Sequence, residues 1–292
     1  MFLIQAGRKV LLPIKHYHIM STILFNQVIF GPVHSRRLGL SLGVNLLPLN
    51  NKLCNFDCIY CECGWGHKAV SPRFNTREEV QFHLRTKLKE MAADGQLPDV
   101  ITFAGNGEPT MHPQFEEIIA DTIATRDELS PKSKISVLSN ATMIDHEPVC
   151  RALLRVDNNI LKLDSAIDST MRIINQPHGN RSVAETVELM KRFNGQLIIQ
   201  TMFLRGRYNG QNIDNTTEKE VSAWLDLIRE IAPKQVMIYT IDRETPAHEL
   251  IKIPVNELSQ IGEQVRALGI SCSVSGATEH PSTPDSTPNP EE

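Results

Sequence analysis

The first 56 residues contain no aspartate or glutamate, while holding Arg8, Lys9, Lys15, Arg36, Arg37 and Lys52. The rest of the chain carries 24 basic against 34 acidic residues, so the formal net charge of −4 hides an uneven distribution. A net charge this small and negative excludes broad electrostatic attraction to nucleic acid or to acidic membranes. The basic front end can act only locally, toward an anionic ligand beside it. No apolar run approaches the ~18 residues of a spanning helix, so no membrane partner is expected. No internal repeat suggests a solenoid. Cysteine is scarce outside one stretch: Cys150 and Cys272 are solitary, whereas "LCNFDCIYCECGWG" holds Cys54, Cys58, Cys61 and Cys63.

A chain of 292 residues with 41% hydrophobic and 22% charged residues is globular. It is long enough for one large domain. Residues 1–27 are expected to be an extension, with an over-extended start or a transit-like segment ahead of Met20. The core is expected over 28–275. The Pro-, Ser- and Thr-rich acidic tail over 276–292 is expected to be disordered. A cytoplasmic chain is expected, and in it cysteines this crowded are not expected to form a disulfide framework.

Between these ends strands alternate with helices. Strands are expected at 41–48, 99–105, 134–140, 159–166, 196–203 and 235–241, with a weak one at "ISCSV". Helices are expected at 78–94, 114–129, 147–156, 182–194, 219–232 and 256–268. Ser182 with Glu185 reads as a capping box, and Pro148 sits where a missing N–H does no harm. Six such units imply a parallel sheet with right-handed crossovers. A doubly wound sheet and a barrel both satisfy the pattern. The strand ends suit a barrel or partial barrel, and the expected fold is a partial (βα)6 TIM-like barrel. "GNGEP", "SNAT", "LDSA", "TMFLRGR" and "TIDR" all suit chemistry, and a barrel gathers such ends on one face.

The cysteine spacing is Cys54-x3-Cys58-x2-Cys61, with turn formers Asn55 and Asp57 between. Structural zinc prefers two short hooks separated by a longer run, and no second hook exists here. Iron–sulfur clusters also use close thiolates, and three would leave one iron of a cubane open.

"CNFDCIYC" resembles the signature of the radical S-adenosylmethionine (radical SAM) superfamily. The resemblance implies that Cys54, Cys58 and Cys61 hold a [4Fe–4S] cluster whose open iron is chelated by S-adenosylmethionine. It places Tyr60 near the adenine and leaves Cys63 spare. "AGNGEP" is similar to the family's GGEP segment. Gly105, Asn106, Gly107 and Glu108 would hold the methionine amino group, with Asn106 the departure from a Gly-Gly pair. Ser139 and Asn140 would contact carboxylate or ribose. Lys162 and Asp164 would contact ribose or carboxylate, and Gln200 and Thr201 adenine or ribose. Residues 31–65 narrow the resemblance to the subgroup related to wyosine tRNA-modifying enzymes, with Arg36 and Arg37 facing an anionic ligand.

The implied activity is oxidoreductase-like. S-adenosylmethionine is reductively cleaved, and the 5′-deoxyadenosyl radical takes hydrogen from an RNA, protein or small-metabolite substrate. The implied partner is an electron donor such as flavodoxin or ferredoxin, and a tRNA substrate is compatible. The alternative is a non-catalytic zinc-binding module that binds nucleic acid. Candidate specificity loops are 174–182, 205–212 and 241–249.

Overall fold

The computed structural model describes residues 23–35, 38–66 and 73–276. The expectations for residues 1–19, for Arg36 and Arg37, and for the tail beyond Gly276 lie outside them.

An edge strand β1 (Ile29–Ser35) leads into β2 (Gly39–Val44). Then come α1 (Arg77–Ala93), β3 (Val100–Phe103), α2 (Phe115–Leu129), β4 (Lys134–Ser139), α3 (Glu147–Arg155), β5 (Asn158–Lys162), α4 (Asp168–Asn175) and α5 (Val183–Lys191). The chain continues through β6 (Ile198–Tyr208), β7 (Gln211–Asp214), α6 (Glu218–Ile231), β8 (Gln235–Thr240), β9 (Leu250–Lys252), α7 (Val255–Ala267) and β10 (Ser271–Ser275).

Local chemistry explains the helices. Thr76 accepts from the Glu79 amide and the Glu79 carboxylate accepts from the Thr76 amide, closing a capping box at α1. Ser182 and Glu185 form the expected box at α5. Val80, Leu84, Leu88 and Met91 recur at helical spacing and form the buried face of α1.

The sheet runs β1-β2-β3-β4-β5-β6-β8-β10, with β7 and β9 pairing the far end of β6. From β2 to β10 all neighbours on this path are parallel, and β1 is antiparallel to β2. The order follows the chain without reversing. A doubly wound sheet needs a point where the order turns back, so this sheet coils into an open barrel with the helices outside.

The outward positions of the strands, among them Leu42, Ile101, Val137, Leu161, Ile199 and Val236, pack with the helices in one core. Phe103 meets Phe115 edge-on at 6.4 Å, and Phe203 meets Trp224 at 5.3 Å. These contacts anchor the strands just before they reach the site. Inside the barrel Ile160, Ile198 and Met237 form a small apolar plug. Above it lie polar side chains, including Thr102, which shares a 2.8 Å hydrogen bond with Ser41.

The segment read as a loop at 205–212 is a β-hairpin, with Arg207 opposite Asn212 and Tyr208 opposite Gln211.

Candidate functional site

The cysteine loop follows β2 and is tied down along its length. The buried Lys52 ammonium donates to Asp57 Oδ1 (2.9 Å) and to the Gly64 carbonyl (2.8 Å), clasping both ends of the loop. Asp57 also accepts from the Gly66 amide (2.7 Å) and from His178 Nε2 (3.1 Å). Burial would raise the Asp57 pKa, but Lys52 and the other donors hold it below the usual carboxylate value. The outer side of the loop is sewn to the end of α4. Asp57 N donates to the Asn175 carbonyl (3.1 Å), Ile59 N to Ile174 (2.9 Å), and His178 N to Asn55 (3.0 Å). Within the loop, Cys61 N donates to the Cys58 carbonyl at 3.0 Å.

All six cysteines are free thiols in this structure. Cys54 Sγ accepts from Phe56 N (3.4 Å) and Asn140 Nδ2 (3.6 Å), and Cys58 Sγ from Asn175 Nδ2 (3.5 Å). Burial, with Glu108 nearby, pushes the Cys54 thiol up. Burial raises Cys58 to about 11 against the pull of Lys162. Cys61 falls to about 6 because Cys63 donates toward it and Lys52 lies close, and the same pairing drives Cys63 up. Cys63 Sγ also donates to the Gly105 carbonyl at 3.3 Å, so its single proton serves one acceptor or the other.

The turn after β3 faces this loop. Leu53 N donates to the Asn106 carbonyl (2.8 Å), and Glu108 N donates to the Leu53 carbonyl (3.1 Å). This parallel bridge between Leu53 and Gly107 brings the backbones together, and only glycine fits. Gly107 has φ +138°, and a Cβ there would stand 1.9 Å from the Leu53 oxygen. Gly105 has φ +134°, and its Cβ would meet Asn45 Oδ1 at 2.7 Å. Asn106, the departure from Gly-Gly, turns its side chain into the protein. It accepts from Phe25 N (2.8 Å) and donates to the Phe25 and Pro48 carbonyls (2.8 Å each). Glu108 is buried, with Oε1 accepting from Thr110 N (3.1 Å) and Oγ1 (2.5 Å), and Oε2 from Asn140 N (2.6 Å). Burial outweighs these donors and leaves its pKa raised.

Ser139 Oγ accepts from Ala141 N at 3.1 Å, and Asn140 Nδ2 donates to Asn55 Oδ1 at 2.7 Å. Beyond β5 a second polar cluster forms. Tyr60 OH donates to Asp164 Oδ2, which also takes Asn175 Nδ2 at 2.6 Å. Asp164 Oδ1 takes Met202 N at 2.9 Å. Lys162 Nζ donates to Tyr60 OH (2.5 Å) and lies 3.5 Å from Asp164 Oδ2. Burial opposes the Lys162 charge, yet Asp164 and the nearby Cys58 and Cys61 raise its pKa.

The structure thus gathers Cys54, Glu108, Asn140 and Ser139 on one side, and Cys58, Tyr60, Lys162 and Asp164 on the other. Gln200 is buried in β6, and Thr201 donates outward to the Leu163 carbonyl (2.7 Å). Sequence reasoning missed Lys52 as a clasp and Asn175 as the donor joining Cys58 to Asp164. The first had no local signal. The second sits at the end of a helix that was not foreseen.

A cavity of about 340 Å³ opens between Asn55, Asn140, Thr142, Lys162, Asp164 and Arg181. Another of about 500 Å³ lies at the open seam, lined by Phe30 of β1, Tyr60, Met202 and Tyr239. Both are of a size that holds small ligands. Among the described residues, no three His, Cys, Asp or Glu side chains converge as a single ion requires. Among the described residues no helix is long and apolar enough to cross a membrane.

The sequence matches the Radical SAM superfamily over residues 52–219. It is 30% identical over 238 residues to a UPF0026 protein of Methanocaldococcus jannaschii, covering 79% of this chain and 68% of that protein. It is 27% identical over 223 residues to the GTPase Obg of Brachyspira hyodysenteriae, covering 74% of this chain but only 30% of that longer protein. A radical SAM methyltransferase from Sphaerobacter thermophilus shares the fold with a TM-score of 0.61, over 81% of this chain and 66% of that one, at 16% identity. TYW1 with a lysine-pyruvate adduct bound shares it with a TM-score of 0.54, over 78% and 73%, at 13% identity.

Proposed function

This chain belongs to the radical SAM superfamily and to its UPF0026 proteins, and from that premise we propose that it reductively cleaves S-adenosylmethionine to start hydrogen abstraction from a substrate. The observation that carries the reading is the Leu53–Gly107 bridge, which docks the cysteine loop on the Gly105–Glu108 turn.

Cys54, Cys58 and Cys61 are the residues that would hold a [4Fe–4S] cluster. They project from one short loop fixed on several sides, as a preformed cluster site requires. When bound, the cluster supplies the electron that splits S-adenosylmethionine into methionine and a 5′-deoxyadenosyl radical. The chain's own part is to bind, orient and shield. The Gly105 carbonyl, held in place by the Gly107 amide (2.9 Å), would accept from the methionine amino group, with the buried Glu108 supplying negative charge. Asn106 locks that turn from the rear. Ser139 and Asn140 orient the carboxylate or ribose, Asp164 the ribose, and Tyr60 packs near the adenine. The buried Lys162–Asp164 pair fixes the phenol that the adenine would meet. A low-potential donor such as flavodoxin or ferredoxin supplies the electron.

The test is anaerobic reconstitution of the full chain, followed by dithionite and S-adenosylmethionine. About four irons per chain and release of 5′-deoxyadenosine are expected. One zinc per chain, or no product from a fully loaded protein, overturns the reading.

A further inference from the structure

Asn175 is the last residue of α4 and is only 1% exposed. The backbone here already docks the cysteine loop. The Asn175 carbonyl accepts from Asp57 N (3.1 Å), and the Ile174 carbonyl accepts from Ile59 N (2.9 Å). The Asn175 side chain is therefore left for another role. Its Nδ2 donates to Asp164 Oδ2 (2.6 Å) and to Cys58 Sγ (3.5 Å). Chemistry fixes that orientation. An ionised carboxylate can only accept, so the amide must turn its NH2 group this way. Flipped, its carbonyl oxygen would face both the carboxylate and the sulfur. The two hydrogens of one nitrogen thus span Asp164 and Cys58. Without them Asp164 keeps other donors, Tyr60 OH on Oδ2 and Met202 N on Oδ1.

The following step rests on the proposed function, in which Cys58 is a cluster ligand and Asp164 orients the ribose of S-adenosylmethionine. Hydrogen bonds to the sulfurs help set the reduction potential of an iron–sulfur site. Reduction adds negative charge, so an N–H aimed at a ligand sulfur favours the reduced form. Neighbouring hydrogen bonds polarise one another. A nitrogen pulled strongly by a carboxylate through one hydrogen donates less well through the other. A ribose hydroxyl that donates to Asp164 takes up part of the carboxylate's charge and frees donor strength for the sulfur. We infer that Asn175 is a positioning residue acting through Cys58, whose amide raises the reduction potential at this loop and relays occupancy of the ribose position at Asp164 to the Cys58 sulfur.

The relay has a consequence by linkage. Whatever factor ligand binding adds to reduction through Asn175, reduction adds to ligand affinity.

The experiment compares anaerobically reconstituted wild type, Asn175→Leu and Asn175→Ala. Leucine keeps the approximate shape of asparagine and removes both donors. Dye-mediated redox titration, followed by electron paramagnetic resonance, gives the midpoint potential with and without S-adenosylmethionine. Without it, both variants should fall below the wild type by about three- to tenfold in the ratio of reduced to oxidised protein, the span of one net hydrogen bond. For one electron that is roughly 30–60 mV. The shift produced by S-adenosylmethionine should also be less positive in both variants, by about twofold in the same ratio. Potentials equal to the wild type overturn the inference. Lower potentials with an unchanged ligand-induced shift overturn the relay. Loss of iron uptake in both variants also overturns it, because the amide would then build the loop rather than tune it. Melts of the metal-free chains add a readout for that structural role, which would lower Tm and leave the potential unmoved. Failure of the underlying reading shows separately: the wild type itself would take up no iron–sulfur cluster, or would not bind S-adenosylmethionine.

Discussion

Replacing Gly107 with alanine tests the contact on which the site depends. Its φ of +138° lies where side chains are strained, which costs on the order of 1–3 kcal/mol. The new Cβ would stand 1.9 Å from the Leu53 carbonyl oxygen, a backbone atom that cannot swing aside. The bridge must therefore open. That loses the bonds from Leu53 N to Asn106 O and from Glu108 N to Leu53 O, each worth about 0.5–1.5 kcal/mol. Together the loss is roughly 2–6 kcal/mol, which lowers Tm by about 4–12 °C for a domain of this size. The control is Gly179→Ala, where a Cβ meets nothing within 4 Å. It should shift stability by under about 0.5 kcal/mol. Circular-dichroism melts of the metal-free chain read the stability, and iron content after reconstitution reads the loop. Leu53 precedes Cys54, so cluster loading should fall with the melt. A Gly107→Ala chain that melts and loads like the wild type refutes the reasoning.

Single alanine replacements of Cys54, Cys58 and Cys61 should abolish cluster absorbance, whereas Cys150→Ala and Cys272→Ala should keep it; a mixed pattern reassigns the ligands. Lys52→Met strands Asp57 in a pair whose side chains are only 2% and 21% exposed, so urea unfolding should show a loss of roughly 3 kcal/mol. Adding Asp57→Asn should recover part of it, and no recovery would mean that the clasp to Gly64 matters more than the ion pair. Glu108 has a raised folded pKa. Between its unfolded value near 4.3 and that raised value, the native state binds more protons than the unfolded chain. Its contribution therefore falls as pH rises through that window. Glu108→Gln should thus gain stability relative to wild type as pH rises above the unfolded value in the ligand-free chain, and a constant difference would show that Glu108 does not titrate differently on folding.

Much of the fold was legible because its elements announce themselves locally. Strands covered by helices are short apolar runs such as "DVITFAG", and helices such as α5 open on side-chain caps. The chemistry collected at the strand ends suited a barrel, and the resemblance carried by the cysteine and Gly-Asn-Gly-Glu motifs made it a partial one. Elements that depend on partners were hidden. β1 is interrupted by Gly31 and Pro32, lies at an edge, and pairs only through β2. α4 has no side-chain cap, its N-cap being Ile167. The hairpin of β6 and β7 did carry a signal, since Asn209 and Gly210 both have positive φ, as two-residue hairpins favour. In the site, cysteine spacing and the Gly-Asn-Gly-Glu run are local and were readable. The tie from Asn175 to Cys58 spans 117 residues of chain and exists only once α4 is docked.

The clamp between Asn106 and Phe25 links segments 81 residues apart, through one amide and one carbonyl of Phe25. It makes the Phe25 amide a reporter. Exchange of that one proton with solvent tracks how often the Gly105–Glu108 turn lets go of the front of the chain. Slower exchange on addition of S-adenosylmethionine would record that this turn has stiffened.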